Sequence, residues 1–243
     1  MRPRTGGLWY NHGMATPPEV LLVEDDRVMR LSFAAILAAE GFAVREAKDG
    51  ESGVAAFLER RPDVVLLDLM MPGMDSLAAC REIRKHDAAV PIVFLTCVSS
   101  ETKQLRAYDD GADDYVLKSA NPDLIVAKVR AAARRSAAMA KPDASGEWLK
   151  LGAVEVDLKS LEVFYSGVLS ERLTRTERDI LRVLASRRGK ILSRDDLIAA
   201  LRGEGFACED SLVYSHVSRL RKKLGPAAGM LMNSRAAGYS LLA

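Results

Sequence analysis

The side chains best equipped for chemistry stand where short apolar runs end. Glu24-Asp25-Asp26 follows Val20–Val23, Asp68 follows Val64–Leu67, Thr96 follows Ile92–Leu95 and Lys118 follows Tyr115–Leu117. Carboxylates drawn together repel one another, which favours a hard divalent cation with oxygen ligands. Mg2+ suits such a set because it accepts one or two carboxylates alongside water and phosphate oxygens. Asp68, at the end of a buried strand, is then placed to attack an incoming phosphoryl group. The cation, the Thr96 hydroxyl and the Lys118 ammonium would neutralise the phosphoryl oxygens as charge moves onto the leaving group.

This chemistry needs a frame that gathers strand ends. Between the apolar runs, with Ala43–Ala47 as the second of five, lie amphipathic stretches at about Val28–Glu40, Gly50–Arg60, Leu77–Lys85, Ser100–Asp110 and Asp123–Arg135. Short continuous apolar strands alternating with helices predict a parallel sheet covered on both faces. Right-handed crossovers make that a doubly wound α/β domain, in which ligands bind at the carboxyl ends of the strands. The expected order is an N-terminal extension over 1–18, disordered and outside the fold, a domain over 19–136, a linker over 137–147 rich in Ala, Ser, Pro and Gly, and a second domain over 148–243.

The 243 residues suffice for two cores, and 49% hydrophobic with 28% charged residues is a globular composition. No run of about eighteen apolar residues occurs, so no membrane span is expected. Cys80, Cys97 and Cys208 lack metal-ligand spacing and read as thiols in a reducing cytoplasm. His12, His86 and His216 are too dispersed for a metal site, and no nucleotide loop, nucleophile elbow or CxxC appears, so a conventional enzyme is not expected.

The net charge of +2 is unevenly spread. Residues 18–136 carry 16 Lys and Arg against 20 Asp and Glu, whereas residues 148–243 carry 16 against 11. The basic half is the one suited to a polyanion. It opens with strand-like pieces at Leu149–Leu151, Val154–Asp157 and Glu162–Tyr165. Three helices follow, the first with a capping box from Thr174 and Glu177, the second capped by Ser193, the third over about Asp210–Leu224. Met230–Met232 and Tyr239–Leu242 read as a terminal hairpin. On the third helix Val213, Val217, Leu220 and Leu224 form one apolar stripe. The opposite face holds Ser215, Ser218, Arg219 and Lys222, residue types that suit entry into a major groove.

The segments LLVEDD, VVLLDLMMPGMD, VFLT and GADDYVLK resemble the signature segments of receiver domains in two-component systems. LTRTERDILRVLASRRGKILSRDDLI, EDSLVYSHVSRLRKKL and NSRAAGYSLL resemble the winged-helix effector domain of OmpR/PhoB response regulators. The resemblance implies a flavodoxin-like receiver followed by an α+β winged-helix domain: a DNA-binding transcriptional regulator. Asp68 would take a phosphoryl group from a sensor histidine kinase, with Mg2+ held directly by Asp25, Asp68 and the Met70 carbonyl and by Glu24 through water. Thr96 and Tyr115 would form the switch pair. Ser215, Ser218, Arg219 and Lys222 would contact DNA from the recognition helix and Arg235 from the wing. A homodimer through the receiver would pair Asp109 with Arg130 and Asp113 with Lys128. The further partner implied is RNA polymerase.

Three positions depart from the family pattern. Lys118 precedes Ser119 where Pro is usual, so a trans bond and a displaced ammonium are expected. Cys97 stands where a smaller side chain is usual and would narrow access to Asp68. Ala236 replaces a wing glycine. The Lys118-Ser119 departure leaves an alternative, a regulator binding DNA largely independently of phosphorylation.

Overall fold

The computed structural model describes residues 16–71, 75–97, 111–138, 147–203, 213–234 and 238–242, and the chain divides into two compact units, residues 1–140 and 141–243. In the first unit the strands are β1 (Glu19–Val23), β2 (Ala43–Ala47), β3 (Val64–Asp68), β4 (Ile92–Thr96) and β5 (Asp114–Leu117). They form one parallel sheet in the order β2-β1-β3-β4-β5. The helices are α1 (Arg27–Ala39), α2 (Gly50–Glu59), α3 (Ser76–His86) and α4 (Pro122–Ala138). The helical stretch expected over Ser100–Asp110 lies outside the described residues, as do residues 1–15 and Cys208.

Every residue of β3 and β4 is buried, which is why these strands read as unbroken apolar runs, whereas edge strand β2 buries only Ala47 fully. On one face Val20, Leu22, Leu66, Val93 and Leu95 pack with Phe33 and Leu37 of α1 and Ile125, Val129 and Ala132 of α4. Full burial of each large aliphatic chain contributes about 1.5–3 kcal/mol. On the other face α2 lies close to β1: a Cβ added at Gly53 would come within 2.9 Å of the Val23 side chain. Local signals agree with this packing. Asp49 and Ser52 form a capping box at α2, Asp75 caps α3, and Arg84, Lys85 and His86 occupy the last turn of α3, where cations suit the helix dipole.

The second unit opens with an antiparallel sheet, β6 (Trp148–Leu151), β7 (Val154–Asp157), β8 (Glu162–Tyr165) and β9 (Val168–Arg172). Strand β9 is additional to the sequence expectation. Helices α5 (Arg175–Ser186), α6 (Arg194–Gly203) and α7 (Val213–Lys223) follow, then a 3-10 turn (Gly225–Met230) and the hairpin of β10 (Leu231–Ser234) and β11 (Gly238–Leu241). The Thr174–Glu177 capping box forms at α5 as expected. Tyr239 of β11 exchanges backbone hydrogen bonds with Leu192 ahead of α6, at 2.8 and 2.9 Å, and so docks the hairpin onto the helices.

That docking makes a glycine obligatory. Gly238 has φ of 118°, and a Cβ there would meet the Leu192 carbonyl oxygen at 2.0 Å. Gly238→Ala should therefore destabilise the second unit by at least about 1–3 kcal/mol in urea denaturation, whereas Gly229→Ala, where a Cβ meets nothing within 4 Å, should change little.

Candidate functional site

The parallel register aligns the ends of β1 and β3, with Val23 opposite Leu67, so the residues that follow β1 emerge beside Asp68. Strand order reverses between β1 and β3, the place where open α/β sheets form their binding crevice. Ligand oxygens of Glu24, Asp25 and Asp68 lie within 4.8 Å of one another, with Glu24 and Asp68 buried. Asp26, by contrast, caps α1, accepting from the Val28 and Met29 amides at 2.8 and 2.9 Å, and those bonds hold its carboxyl below the ordinary range.

Lys118 reaches this cluster from the end of β5. Its amide donates to the Thr96 carbonyl at 2.8 Å, which continues the β4–β5 pairing past the strand. Its ammonium lies 2.9 Å from Asp68 Oδ2 and 2.8 and 2.7 Å from the two Glu24 oxygens. The Lys118–Ser119 bond is trans, as expected, yet the ammonium keeps its place between the carboxylates. Burial pushes the Glu24 and Asp68 carboxyls above the ordinary range, with Lys118 opposing the shift. Burial would lower the Lys118 ammonium, but its bonds to Glu24 and Asp68 hold it above its usual value.

The donor set fits a divalent cation. Glu24 Oε2 and Asp68 Oδ2 are buried, and each faces the Lys118 ammonium, at 2.7 and 2.9 Å. Met70, whose amide donates to Asp68 Oδ1 at 3.1 Å, is on the open side of the centre, its side chain exposed. Thr96 is fully buried at the end of β4, and Tyr115 is buried with its ring 5.9 Å from the Lys128 ammonium. Cys97 is exposed.

The charges assigned to a receiver dimer need correction. Asp113 is only 2% exposed; its carboxylate accepts from Arg84 at 2.6 Å and from the Ile92 amide at 3.0 Å. Lys128 is buried against its neighbour instead, 2.9 and 3.0 Å from the Asp114 oxygens. An Asp113–Lys128 bridge between subunits would break two buried pairs, at a cost of several kcal/mol, to gain a surface pair worth about 0–1 kcal/mol. Arg130 is held by Glu40 at 2.7 Å. Asp109 lies outside the described residues.

On α7 the expected contact face is turned. Ser215 and Arg219 are 3% and 4% exposed, whereas Tyr214 is 60% exposed. Facing the Arg219 side of the helix is Glu177, fully buried in the first turn of α5. Its Oε2 accepts from the Thr174 amide and the Lys223 ammonium, both at 2.7 Å, and its Oε1 lies 3.7 Å from Arg219 Nε. Arg219 also meets His216 Nδ1 at 2.5 Å. With the Ser215–Arg219 arc inside, the open face is rolled by about 60° from the expected one at 100° per residue. Ser218 and Lys222 stay on the open side. With Tyr214, Val217, Arg221 and Asn233 of β10 they line a groove of about 310 Å³. Tyr214, Arg221 and Asn233 were not singled out from the sequence as contacts, although Tyr214 and Arg221 flank the expected face. Arg235 and Ala236 lie outside the described residues.

Over residues 20–130 the chain matches the response regulator receiver domain family, and over residues 170–241 the family of C-terminal domains of transcriptional regulatory proteins. It is 36% identical over 239 residues to the transcriptional regulatory protein CseB of Streptomyces avermitilis, covering 95% of this chain and 100% of that one. It is 38% identical over 205 residues to the DNA-binding response regulator MtrA of Mycolicibacterium smegmatis, covering 84% and 87% of the two chains. A solved structure of a RitR mutant shares the fold, with a TM-score of 0.73 at 21% identity over 92% of this chain and 98% of that one. An acidic centre on a receiver sheet, followed by a winged-helix unit with a basic open helix face, makes this chain a DNA-binding transcriptional regulator of the OmpR/PhoB family of two-component response regulators.

Proposed function

We propose that Asp68 is the phosphoacceptor through which a sensor histidine kinase controls DNA binding by α7, in the cytoplasm. The observation that carries this reading is the cluster of Glu24, Asp25 and Asp68 with one ammonium, Lys118, between two of its members. An Asp68 oxygen attacks phosphorus, the bond from phosphorus to the kinase imidazole breaks, and the imidazole leaves with the electron pair. Glu24, Asp25, Asp68 and the Met70 carbonyl would hold Mg2+, which supplies positive charge to the phosphoryl oxygens when bound. Lys118 is near enough to exchange its contact with Asp68 for one with a transferred phosphoryl oxygen, and Thr96 offers its hydroxyl from the neighbouring strand end. The ammonium keeps both carboxylates across a trans Lys118–Ser119 bond, which supports phosphorylation control over the alternative of phosphorylation-independent binding.

On the effector side we assign DNA contact to Ser218 and Lys222, as expected from the sequence, together with Tyr214, Arg221 and Asn233. Arg219 and Lys223 share the carboxylate of Glu177, at 3.7 and 2.7 Å, and belong to the packing of α7 against α5.

Labelling with radioactive acetyl phosphate should vanish in Asp68→Asn and fall sharply in Asp25→Ala; undiminished labelling of Asp68→Asn would refute the assignment. Because burial raises the Glu24 and Asp68 carboxyls, protons compete with the metal above the ordinary carboxylate range. Mg2+ affinity by calorimetry should weaken as pH falls through that range, and constancy down to the ordinary range would contradict the burial argument. For DNA, Lys222→Ala should weaken all sequences alike and reduce the salt slope by about one. Arg219→Ala should instead lower the melting temperature and leave the salt slope of the folded protein unchanged.

A further inference from the structure

Glu24 and Asp25 stand on a short link between the end of β1 and the first turn of α1. The Asp26 cap fixes one end of this link. The Glu24 amide, donating to the Ala47 carbonyl at 3.1 Å, fixes the other. Arg30 of α1 holds the middle. Its Nη1 donates to the Glu24 carbonyl at 2.6 Å and the Asp25 carbonyl at 3.2 Å, and its Nε lies 3.4 Å from the Glu46 carboxylate of β2.

We propose that Arg30 is a positioning residue for the metal centre, held in turn by Glu46. The inference rests on the reading of Glu24, Asp25 and Asp68 as a cation site. The Glu24 carbonyl belongs to the peptide plane joining residues 24 and 25, and the Asp25 carbonyl to the plane joining 25 and 26. Fixing both planes fixes both backbone dihedrals of Asp25, because the peptide unit is rigid, and with the Glu24 amide held by Ala47 it also restrains ψ of Glu24. The directions in which the two carboxylates leave the backbone are thereby set before a cation arrives. The guanidinium side chain is 15% exposed, so its bonds to the carbonyls meet little competition from water. Binding then does not bear the entropy of ordering the link. Arg30 touches no ligand oxygen; it acts through the backbone that carries them. Its role matches that of outer partners which orient metal ligands, whose loss typically costs tenfold or more in affinity.

The test is calorimetric titration of the full chain with Mg2+ alone, in wild type, Arg30→Ala, Arg30→Lys, Glu46→Gln and Asp25→Ala, alongside melting curves in EDTA. Arg30→Ala should raise the Mg2+ dissociation constant about tenfold at unchanged stoichiometry. Arg30→Lys, which keeps a donor and the charge, should recover part of the loss, and Glu46→Gln should show a smaller loss. Should Arg30→Ala fail to fold, Arg30→Lys and Glu46→Gln carry the same comparison. Wild-type Mg2+ affinity in the Arg30 and Glu46 variants, with Asp25→Ala impaired, would overturn the positioning role alone. So would a lower melting temperature in EDTA with Mg2+ affinity unchanged. Wild-type affinity in Asp25→Ala would overturn the cation-site reading beneath it.

Discussion

The ammonium of Lys118 between Glu24 and Asp68 is the interaction on which the receiver unit turns. Two carboxylates within 4.8 Å repel by on the order of 3 kcal/mol at an effective dielectric of 20. An ammonium 2.9 Å from one and 2.7 Å from the other attracts each by on the order of 5 kcal/mol on the same scale, so attraction wins. The three groups come from the ends of β1, β3 and β5, and only a parallel sheet with β1 beside β3 brings them together. The apolar runs, the close approach of α2 at Gly53 and the Arg30 bonds to the β1–α1 link all serve that convergence. The surplus negative charge of Glu24, Asp25 and Asp68 over Lys118 is what a divalent cation would offset, before and after a phosphoryl group adds its own negative charge.

The effector unit uses the same device for a different end. Glu177 is buried, accepts the Thr174 amide at the start of α5, and takes two cations from α7. Helix start and helix orientation are thus fixed by one carboxylate. Removing either cation would leave a buried charge short of partners, whereas an exposed pair could be lost with little effect. The cost of this arrangement is that Arg219 is withdrawn from the surface and Lys223 is turned partly toward Glu177, so the basic character of the open face falls to Arg221 and Lys222.

The acidic centre was legible in the sequence because each member follows an unbroken apolar run, and continuous burial on both faces leaves that pattern and no other. Helix starts were legible for a similar reason: Thr174 with Glu177 announces a capping box that forms as written. Strand β9 was not, because all five of its residues are exposed and VLSER carries no alternation. Asp113 and Asp114 illustrate a finer limit. Successive residues entering a strand point to opposite faces, so a one-residue choice decides whether Lys128 or Arg84 is the partner. The roll of α7 was hidden because an apolar stripe suggests a symmetric polar face, and only the distant Glu177 makes part of that face interior.

Fluorescence anisotropy tests whether chemistry at Asp68 governs the DNA affinity of α7. The full chain would be titrated against a DNA fragment that it has itself selected in vitro, with Mg2+, in the presence and absence of beryllofluoride as a phosphoryl mimic. Binding should be tighter with beryllofluoride in wild type and unchanged in Asp68→Ala. Equal affinities with and without the mimic in wild type, while the mimic demonstrably occupies Asp68, would contradict control of DNA binding by Asp68.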